Sequence, residues 1–151
     1  ERPLHLGAAL VEGRDATDVI EALSAYGLPL GDAFQMRDDV MGAFGDTEVT
    51  GKPVGGDLRE GKPTPLLARA VALANSSQRK ILDKVGSSDL SDEQVAQIQQ
   101  TIIDVGAINE IERLIATNIS LAVQALDSPV ITSDAIEPLV ELAEFITDRS
   151  S

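Results

Sequence analysis

The amino-acid sequence predicts an all-α fold, a bundle of packed helices. The chain has 151 residues, 43% of them apolar, and only four of these are aromatic. A composition dominated by Leu, Ile, Val and Ala suits packed helices better than sheets. Apolar residues also recur at helical spacing along most of the chain. Because this length can bury one sizeable core, we expect a single structural unit over residues 1–151.

The first third of the chain predicts helices that lead up to an acidic segment. One helix is expected from Pro3 to Gly13 and a second from Asp15 to Tyr26, where Asp15 is a plausible N-cap. Gly27 and Pro29 follow, and a proline inside a helix removes a hydrogen bond. We therefore expect a kink or a brief break there, before helical turns resume over 35–44.

Helical periodicity is lost between Gly45 and Pro65, a stretch with five glycines and three prolines. A connection of this length in a compact domain is usually a binding loop, a lid or a linker. A helix should resume at Thr64 or Pro65 and continue to Gly86.

Three further helices are expected in the last third of the chain. The first of them begins at Ser91, whose spacing to Gln94 is that of a capping box. The second runs from Gly106 to about Asp127. The third starts at 133 or 134, where Pro138 falls in the first turns and is tolerated.

Charge and cysteine content exclude several classes of function. The formal net charge of -13 should repel a polyanion, so nucleic acid is not expected as a partner. The absence of cysteine rules out disulfides and a thiolate nucleophile, and it fits a cytoplasmic location. No apolar run approaches the roughly 20 residues of a transmembrane segment, and no signal pattern opens the sequence.

Two features of the sequence suggest a functional site at first but lack the residues that such a site needs. The segment Gly56–Pro63 resembles the phosphate-binding loop of nucleotide hydrolases, but it has a proline where a metal-binding hydroxyl is needed, and no strand pattern precedes it. His5, the only histidine, lies among apolar residues without a set of neighbouring ligands. Neither a nucleotide site nor a histidine-based site is expected.

The segment 30–65 combines carboxylates on a helix with lysines in a loop. At about 100° per residue, Gln35, Asp38, Asp39 and position 42 share an arc of roughly 100°. The residues on most of the opposite side should face the core: Met36, Val40, Met41 and Phe44.

This pairing of acidic and basic groups is suited to the departure of a diphosphate. Mg²⁺ is usually held by one or two carboxylates together with phosphate oxygens, and Asp38 and Asp39 supply such a pair. Lys52 and Lys62, with Arg59 as a further candidate, supply the positive charge that a leaving diphosphate needs. Metal-assisted departure of a diphosphate needs no Cys, His or Ser nucleophile.

These residues resemble the second aspartate-rich region of the trans-isoprenyl diphosphate synthase (polyprenyl synthetase) family, including the bacterial geranylgeranyl diphosphate synthases. The matching elements are Phe34-Gln35-x-x-Asp38-Asp39, Gly45-Asp46, Gly51-Lys52, Asp57 and Gly61-Lys62. The likeness covers the whole chain but only the C-terminal half of the family's domain. It implies the C-terminal portion of the isoprenoid-synthase helical bundle, with the N-terminal half and its first aspartate-rich motif absent.

The resemblance also implies a role for each matching residue. Asp38 would bind Mg²⁺ that bridges an allylic diphosphate, with Asp39 as a nearby ligand. Lys52 and Lys62 would contact the diphosphate and Gln35 would line the same pocket, so that Asp38, Lys52 and Lys62 serve catalysis. Asp57 would order the lysine loop through hydrogen bonds. The family usually has a third aspartate where this chain has Gly42, so a complete set of metal ligands is not implied.

The reaction that the resemblance implies is prenyl transfer. An allylic diphosphate ionises, isopentenyl diphosphate attacks the cation, and a proton is lost. The intact enzyme would act as a homodimer with Mg²⁺, whereas the present chain should be inactive alone. Two alternatives stay open, a non-catalytic regulatory subunit of a prenyltransferase and a terpene cyclase of related fold.

Overall fold

The computed structural model describes residues 7, 17–45, 55–87 and 89–148. Within these ranges the secondary structure is helical and no strand occurs, which confirms the all-α prediction. The described helices are α1 (Thr17–Phe44), α2 (Gly56–Glu60), α3 (Pro65–Leu73), α4 (Ser76–Leu82), α5 (Asp92–Asp104), α6 (Ala107–Ala125) and α7 (Ser133–Asp148). The helix expected from Pro3 to Gly13 lies almost entirely outside the described residues.

The chain divides into two compact units. Unit 1 consists of Glu1–Gln35 and Leu114–Arg149, and unit 2 of Met36–Arg113 with Ser150–Ser151. Helices α1 and α6 therefore contribute residues to both units. The expectation of a single structural unit over 1–151 stays a prediction.

In unit 1, α1 runs without interruption through Gly27 and Pro29. A brief break at this point, one of the two alternatives that we expected, is therefore wrong, and the other, a kink, stays a prediction. Tyr26 and Leu30 on either side of the proline are buried, and the Tyr26 hydroxyl donates a hydrogen bond of 2.7 Å to the Leu139 carbonyl of α7. Burial of these flanking turns offsets the one backbone hydrogen bond that a proline removes.

An apolar cleft of about 310 Å³ also belongs to unit 1, between α1 and α7. Phe34, Leu142 and Phe145 line it and keep about half of their surface exposed. Its lining contains no carboxylate or amine, so it does not hold the chemical groups of the acidic segment.

In unit 2, part of the expected loop is a short helix. Helix α2 begins after Gly55 and ends at Gly61, and both glycines have positive φ angles, of 70° and 69°. The prediction of an irregular stretch from 45 to 65 is therefore wrong for residues 56–60. Because a left-handed backbone favours glycine, two of the residues that suggested a loop instead delimit a helix.

The helix expected from residue 65 to Gly86 is two helices. Helix α3 ends at Leu73, and Asn75 caps α4 by accepting hydrogen bonds from the backbone of Ser77 and Gln78. Gln78 in turn accepts from the Asn75 backbone N–H, which completes a capping box. The apolar periodicity continues from α3 into α4, although the capping residues between them end one helix and begin the next.

The later helices agree with the prediction. The capping box of Ser91 and Gln94 opens α5, α6 follows Gly106, and α7 begins at Ser133. Helices α3, α4 and α5 pack against one another in unit 2. No helix among the described residues has the length and apolar character needed to cross a membrane.

Candidate functional site

Lys62 joins the two halves of the predicted motif within unit 2. Its ammonium group donates hydrogen bonds of 2.9 Å to Asp39 Oδ1 and 3.2 Å to Asp57 Oδ2. Asp39 comes from α1 and Asp57 from the first turn of α2. Both carboxylates are buried, while the lysine side chain keeps 38% of its surface exposed. The bond from Lys62 agrees with the expectation that Asp57 orders the lysine loop, of which Lys52 lies outside the described residues.

The backbone around Lys62 is fixed on both sides. Gly61 turns the chain at the end of α2, and the Lys62 N–H then donates to the Asp57 carbonyl at 3.0 Å. Gly86 approaches from the end of α4 and donates to the Leu58 carbonyl at 2.9 Å. A Cβ on Gly61 would lie 2.9 Å from the Gly86 Cα, so the two backbones pack without room for a side chain. The backbone at Lys62 is therefore held in place by the close packing of Gly61 against Gly86.

Gly86 is a residue of this arrangement that the sequence analysis assigned only to the end of a helix. Its φ of 81° is a left-handed conformation, which is consistent with that position. Its packing against Gly61 could not be inferred, because the two residues are 25 positions apart and no local pattern connects them. A glycine pair at contact distance becomes visible only once the helices are placed.

The carboxylates of α1 have different environments. Asp39 is 2% exposed and bonded to Lys62, whereas Asp38 is half-buried. Among the described residues, Asp38 has no hydrogen-bond or ion-pair partner. Of the two adjacent carboxylates, Asp38 is therefore the one that is available to a cation from solution.

The expected core-facing side of this part of α1 is only partly right. Met36 is buried, but Val40, Met41 and Phe44 are half-buried. Arg37 is buried in their place and makes a two-pronged ion pair with Glu112 of α6, at 2.6 and 2.8 Å. Such ion pairing allows buried charge to occupy positions that a hydropathy pattern assigns to apolar residues.

The remaining candidates for diphosphate binding are two basic residues and one amide. Lys52 lies outside the described residues. Gln35 is an exposed residue of α1 and the last residue of the first segment of unit 1. Arg59 donates to the Leu90 carbonyl and pairs with Asp92 at the start of α5. The structure therefore brings Lys62, and not Arg59, to the carboxylate of α1.

The local electrostatics favour a charged lysine. The hydrogen bond to Asp39 is the largest cause that raises the pKa of Lys62 above its ordinary value of 10.5, and Asp57 adds to it against the opposing effect of desolvation. An ammonium group has three N–H donors, and two are used here. One donor is left for an anionic ligand.

The residues present fit a partial magnesium site. Within the described ranges, no group of three or more Asp, Glu, His or Cys side chains is arranged to hold a metal ion by itself. Mg²⁺ does not need such a group, because it commonly takes one or two carboxylates and completes its shell with phosphate oxygens and water. Asp38 supplies one carboxylate of this kind.

Comparisons with known proteins identify the family of this chain. The sequence model of the polyprenyl synthetase family matches residues 1–102. A geranylfarnesyl diphosphate synthase from Aeropyrum pernix is 34% identical over 150 residues, which cover 99% of this chain and 46% of that protein.

Solved structures of prenyl diphosphate synthases resemble the fold of this chain. A geranylgeranyl pyrophosphate synthase from Corynebacterium glutamicum, solved with isoprenyl diphosphate and magnesium, has a TM-score of 0.88 and 38% identity, over 98% of this chain and 42% of that one. A polyprenyl synthase from Caulobacter crescentus, solved with calcium and isoprenyl diphosphate, has a TM-score of 0.75 and 35% identity, over 87% and 40%. The chain thus spans less than half the length of these relatives, and it belongs to the polyprenyl synthetase family.

Proposed function

We propose that this chain provides the diphosphate-ionising half of a prenyltransferase that joins an allylic diphosphate to isopentenyl diphosphate with Mg²⁺. The observation that carries the proposal is the contact between Lys62 and Asp39, the residue that follows Asp38 in α1. Asp38 has no partner among the described residues. A lysine with a spare donor and a potential metal ligand on one segment support the proposal. Relatives named as prenyl diphosphate synthases, one of them solved with magnesium and isoprenyl diphosphate, support the same substrate class.

Each residue has a separate task in this proposal. Asp38 would hold the metal ion, and Mg²⁺, when bound, would supply Lewis-acid stabilisation of the leaving group. Lys62 directs its third N–H to the diphosphate. Asp39, which we predicted as a metal ligand, is engaged by Lys62 and so also serves to hold that lysine. Lys52 and Gln35 keep the diphosphate-binding roles that the family resemblance implies.

The chemistry follows from these roles. The carbon–oxygen bond of the allylic diphosphate breaks, and the electron pair leaves with the diphosphate. The double bond of isopentenyl diphosphate attacks the allylic cation, and loss of a proton restores a double bond. Lys62 stabilises the charge that grows on the diphosphate, which accelerates ionisation because a fixed donor needs no reorganisation during the reaction.

The chain by itself should not complete this reaction. The Asp38 carboxylate is a single ligand, and the other ligands and the isopentenyl diphosphate site would come from the part of the family's domain that this chain does not span. A homodimer of the intact enzyme and a cytoplasmic location are the further expectations of the proposal.

A prenyl-transfer assay on the intact enzyme tests the role of Asp38. Asp38→Asn should lower kcat/KM about a hundredfold and raise the Mg²⁺ concentration needed, because metal stabilisation of a leaving group contributes several kcal/mol and each 1.4 kcal/mol, roughly, is a factor of ten. Asp32→Asn is the matched control, since Asp32 is an exposed carboxylate on the same helix. Equal activity of the two variants would contradict the proposal.

The same experiment separates the alternatives. A regulatory subunit, for which Gly42 in place of the family's aspartate is the favouring feature, would keep its effect on a partner's activity after Asp38→Ala. A terpene cyclase would release diphosphate from the allylic substrate and give cyclic products without consuming isopentenyl diphosphate. Product analysis by mass spectrometry distinguishes both from chain elongation.

A further inference from the structure

Gly42 is a glycine in the interior of α1 that the backbone does not require. Its φ angle is not positive, so its backbone conformation is open to other residues. Among the described residues, the glycines with a positive φ are Gly55, Gly61, Gly86 and Gly106. Glycine weakens a helix interior, and no capping role applies two residues before the end of α1. The reason for this glycine must therefore lie in the space around it.

That space is filled by Asp57. A Cβ on Gly42 would lie 2.5 Å from Cγ and 2.8 Å from Oδ1 of the Asp57 carboxylate, closer than real Cβ contacts allow. By contrast, a Cβ on Gly31, also within α1, would meet nothing within 4 Å. Any residue other than glycine at position 42 must displace the carboxylate of Asp57.

The displaced carboxylate is one of the two that hold Lys62. Asp57 is 7% exposed and accepts the 3.2 Å hydrogen bond from the lysine ammonium. With Asp57 in place, Lys62 is fixed by two carboxylates on two different helices. Without it, the ammonium is bonded to Asp39 alone among the described carboxylates and can pivot about that bond.

We propose that Gly42 and Asp57 form one positioning pair: the missing side chain at 42 admits the Asp57 carboxylate, which fixes the Lys62 ammonium for the departing diphosphate. The inference rests on the proposed function. The Asp57 carboxylate of α2 thereby occupies the space beside α1 that the side chain of an aspartate at position 42 would fill. An aspartate at 42 and Asp57 in its present position exclude each other.

Steady-state kinetics of the intact enzyme tests the pair. Gly42→Ala should lower kcat about tenfold or more and change the KM of the allylic diphosphate less. The reason is that a shift of the Lys62 ammonium by about 1 Å weakens contacts in the transition state more than it weakens initial binding. Gly31→Ala is the matched control and should leave both constants unchanged. Equal kinetics of the two alanine variants would overturn the inference.

A double-mutant cycle distinguishes positioning from a general structural effect. Asp57→Ala should show the same loss of kcat, and Asp57→Asn should restore most of it, since the amide oxygen can still accept from Lys62. Gly42→Ala combined with Asp57→Ala should be no worse than Asp57→Ala alone. Losses that multiply in the double variant would mean that Gly42 acts independently of Asp57, contrary to the inference.

Two outcomes separate this inference from the proposed function. A wild-type enzyme without prenyl transfer would refute the proposed function itself. An active wild type whose Gly42→Ala variant is equally active would refute only the positioning pair. If circular dichroism shows that Gly42→Ala does not fold, the comparison of Asp57→Ala with Asp57→Asn decides, and equal kcat values of these two would overturn the inference.

Discussion

Removing the Lys62 ammonium should destabilise unit 2 more than removing any ordinary surface charge. In Lys62→Met the apolar stem is retained, while Asp39 and Asp57 lose the cation that both are bonded to. Their side chains are only 3% and 10% exposed, so water replaces the lost partner poorly. Two buried carboxylates then remain close together without the Lys62 cation.

The magnitude follows from the burial of the partners. Breaking a buried ion pair by removing one member costs about 3–5 kcal/mol. Lys62 itself is 38% exposed, which reduces the loss to about 2–3 kcal/mol. The matched control is Arg69→Met, because the Arg69–Glu110 pair is longer, at 3.4 Å, and its side chains are 52% and 30% exposed. Its loss should cost about 0.5 kcal/mol or less.

Urea unfolding followed by far-ultraviolet circular dichroism measures both variants, since the chain has no Trp to serve as a fluorescent probe. A sign reversal provides a second check. Asp57→Asn should destabilise the wild type but stabilise the Lys62→Met variant, where it removes a buried charge that has lost its partner. If Lys62→Met and Arg69→Met differ by less than about 0.5 kcal/mol, burial does not govern this ion-pair cluster and the reasoning fails.

Three other results are expected. Burial raises the pKa of Tyr26 above 10.0, so stability from its neutral phenol is complete below that pH and is lost as the pH rises further. Tyr26 is the only tyrosine, so the phenolate absorbance of the 151-residue chain should titrate above 10.0 together with unfolding, and a midpoint at the ordinary value would contradict its burial. Asn75→Ala should cost about 1 kcal/mol by removing the cap of α4, whereas Asn75→Asp should cost much less; equal losses in urea unfolding would refute the capping role. The purified 151-residue chain should show no Mg²⁺-dependent prenyl transfer, and robust turnover would refute its proposed dependence on the rest of the family's domain.

Much of the fold could be predicted because its signals are local. The capping box at Ser91, the apolar spacing of α6 and the start of α7 at Ser133 each depend on residues within one or two turns. The same approach failed where a local signal competes with another. Pro29 predicted a break that packing of its neighbours prevents, and the cap at Asn75 was concealed by apolar residues that continue past it.

The arrangement of the candidate site could be predicted only in part, and the roles of its residues stay predictions. Helical spacing placed Asp38 and Asp39 side by side, but it could not tell that one would be buried against Lys62 and the other left without a partner. That difference depends on where α2 lies, and α2 was itself missed. Gly42 shows the same limit, because its glycine is explained by a carboxylate fifteen positions later in the chain.

The proposed function requires so acidic a chain to bind an anionic substrate, and the placement of these charges suggests how. Asp38, Asp39 and Asp57 outnumber Lys62, and the chain as a whole carries a formal charge of -13, so a free diphosphate would be repelled. A diphosphate that arrives as its magnesium complex instead brings the cation that the partner-free Asp38 carboxylate attracts. Lys62 is already neutralised by its partners, and so it contributes direction more than net attraction. Under the proposed function, recognition thus requires metal and diphosphate together, which restricts binding to the form of the substrate that is ready to ionise.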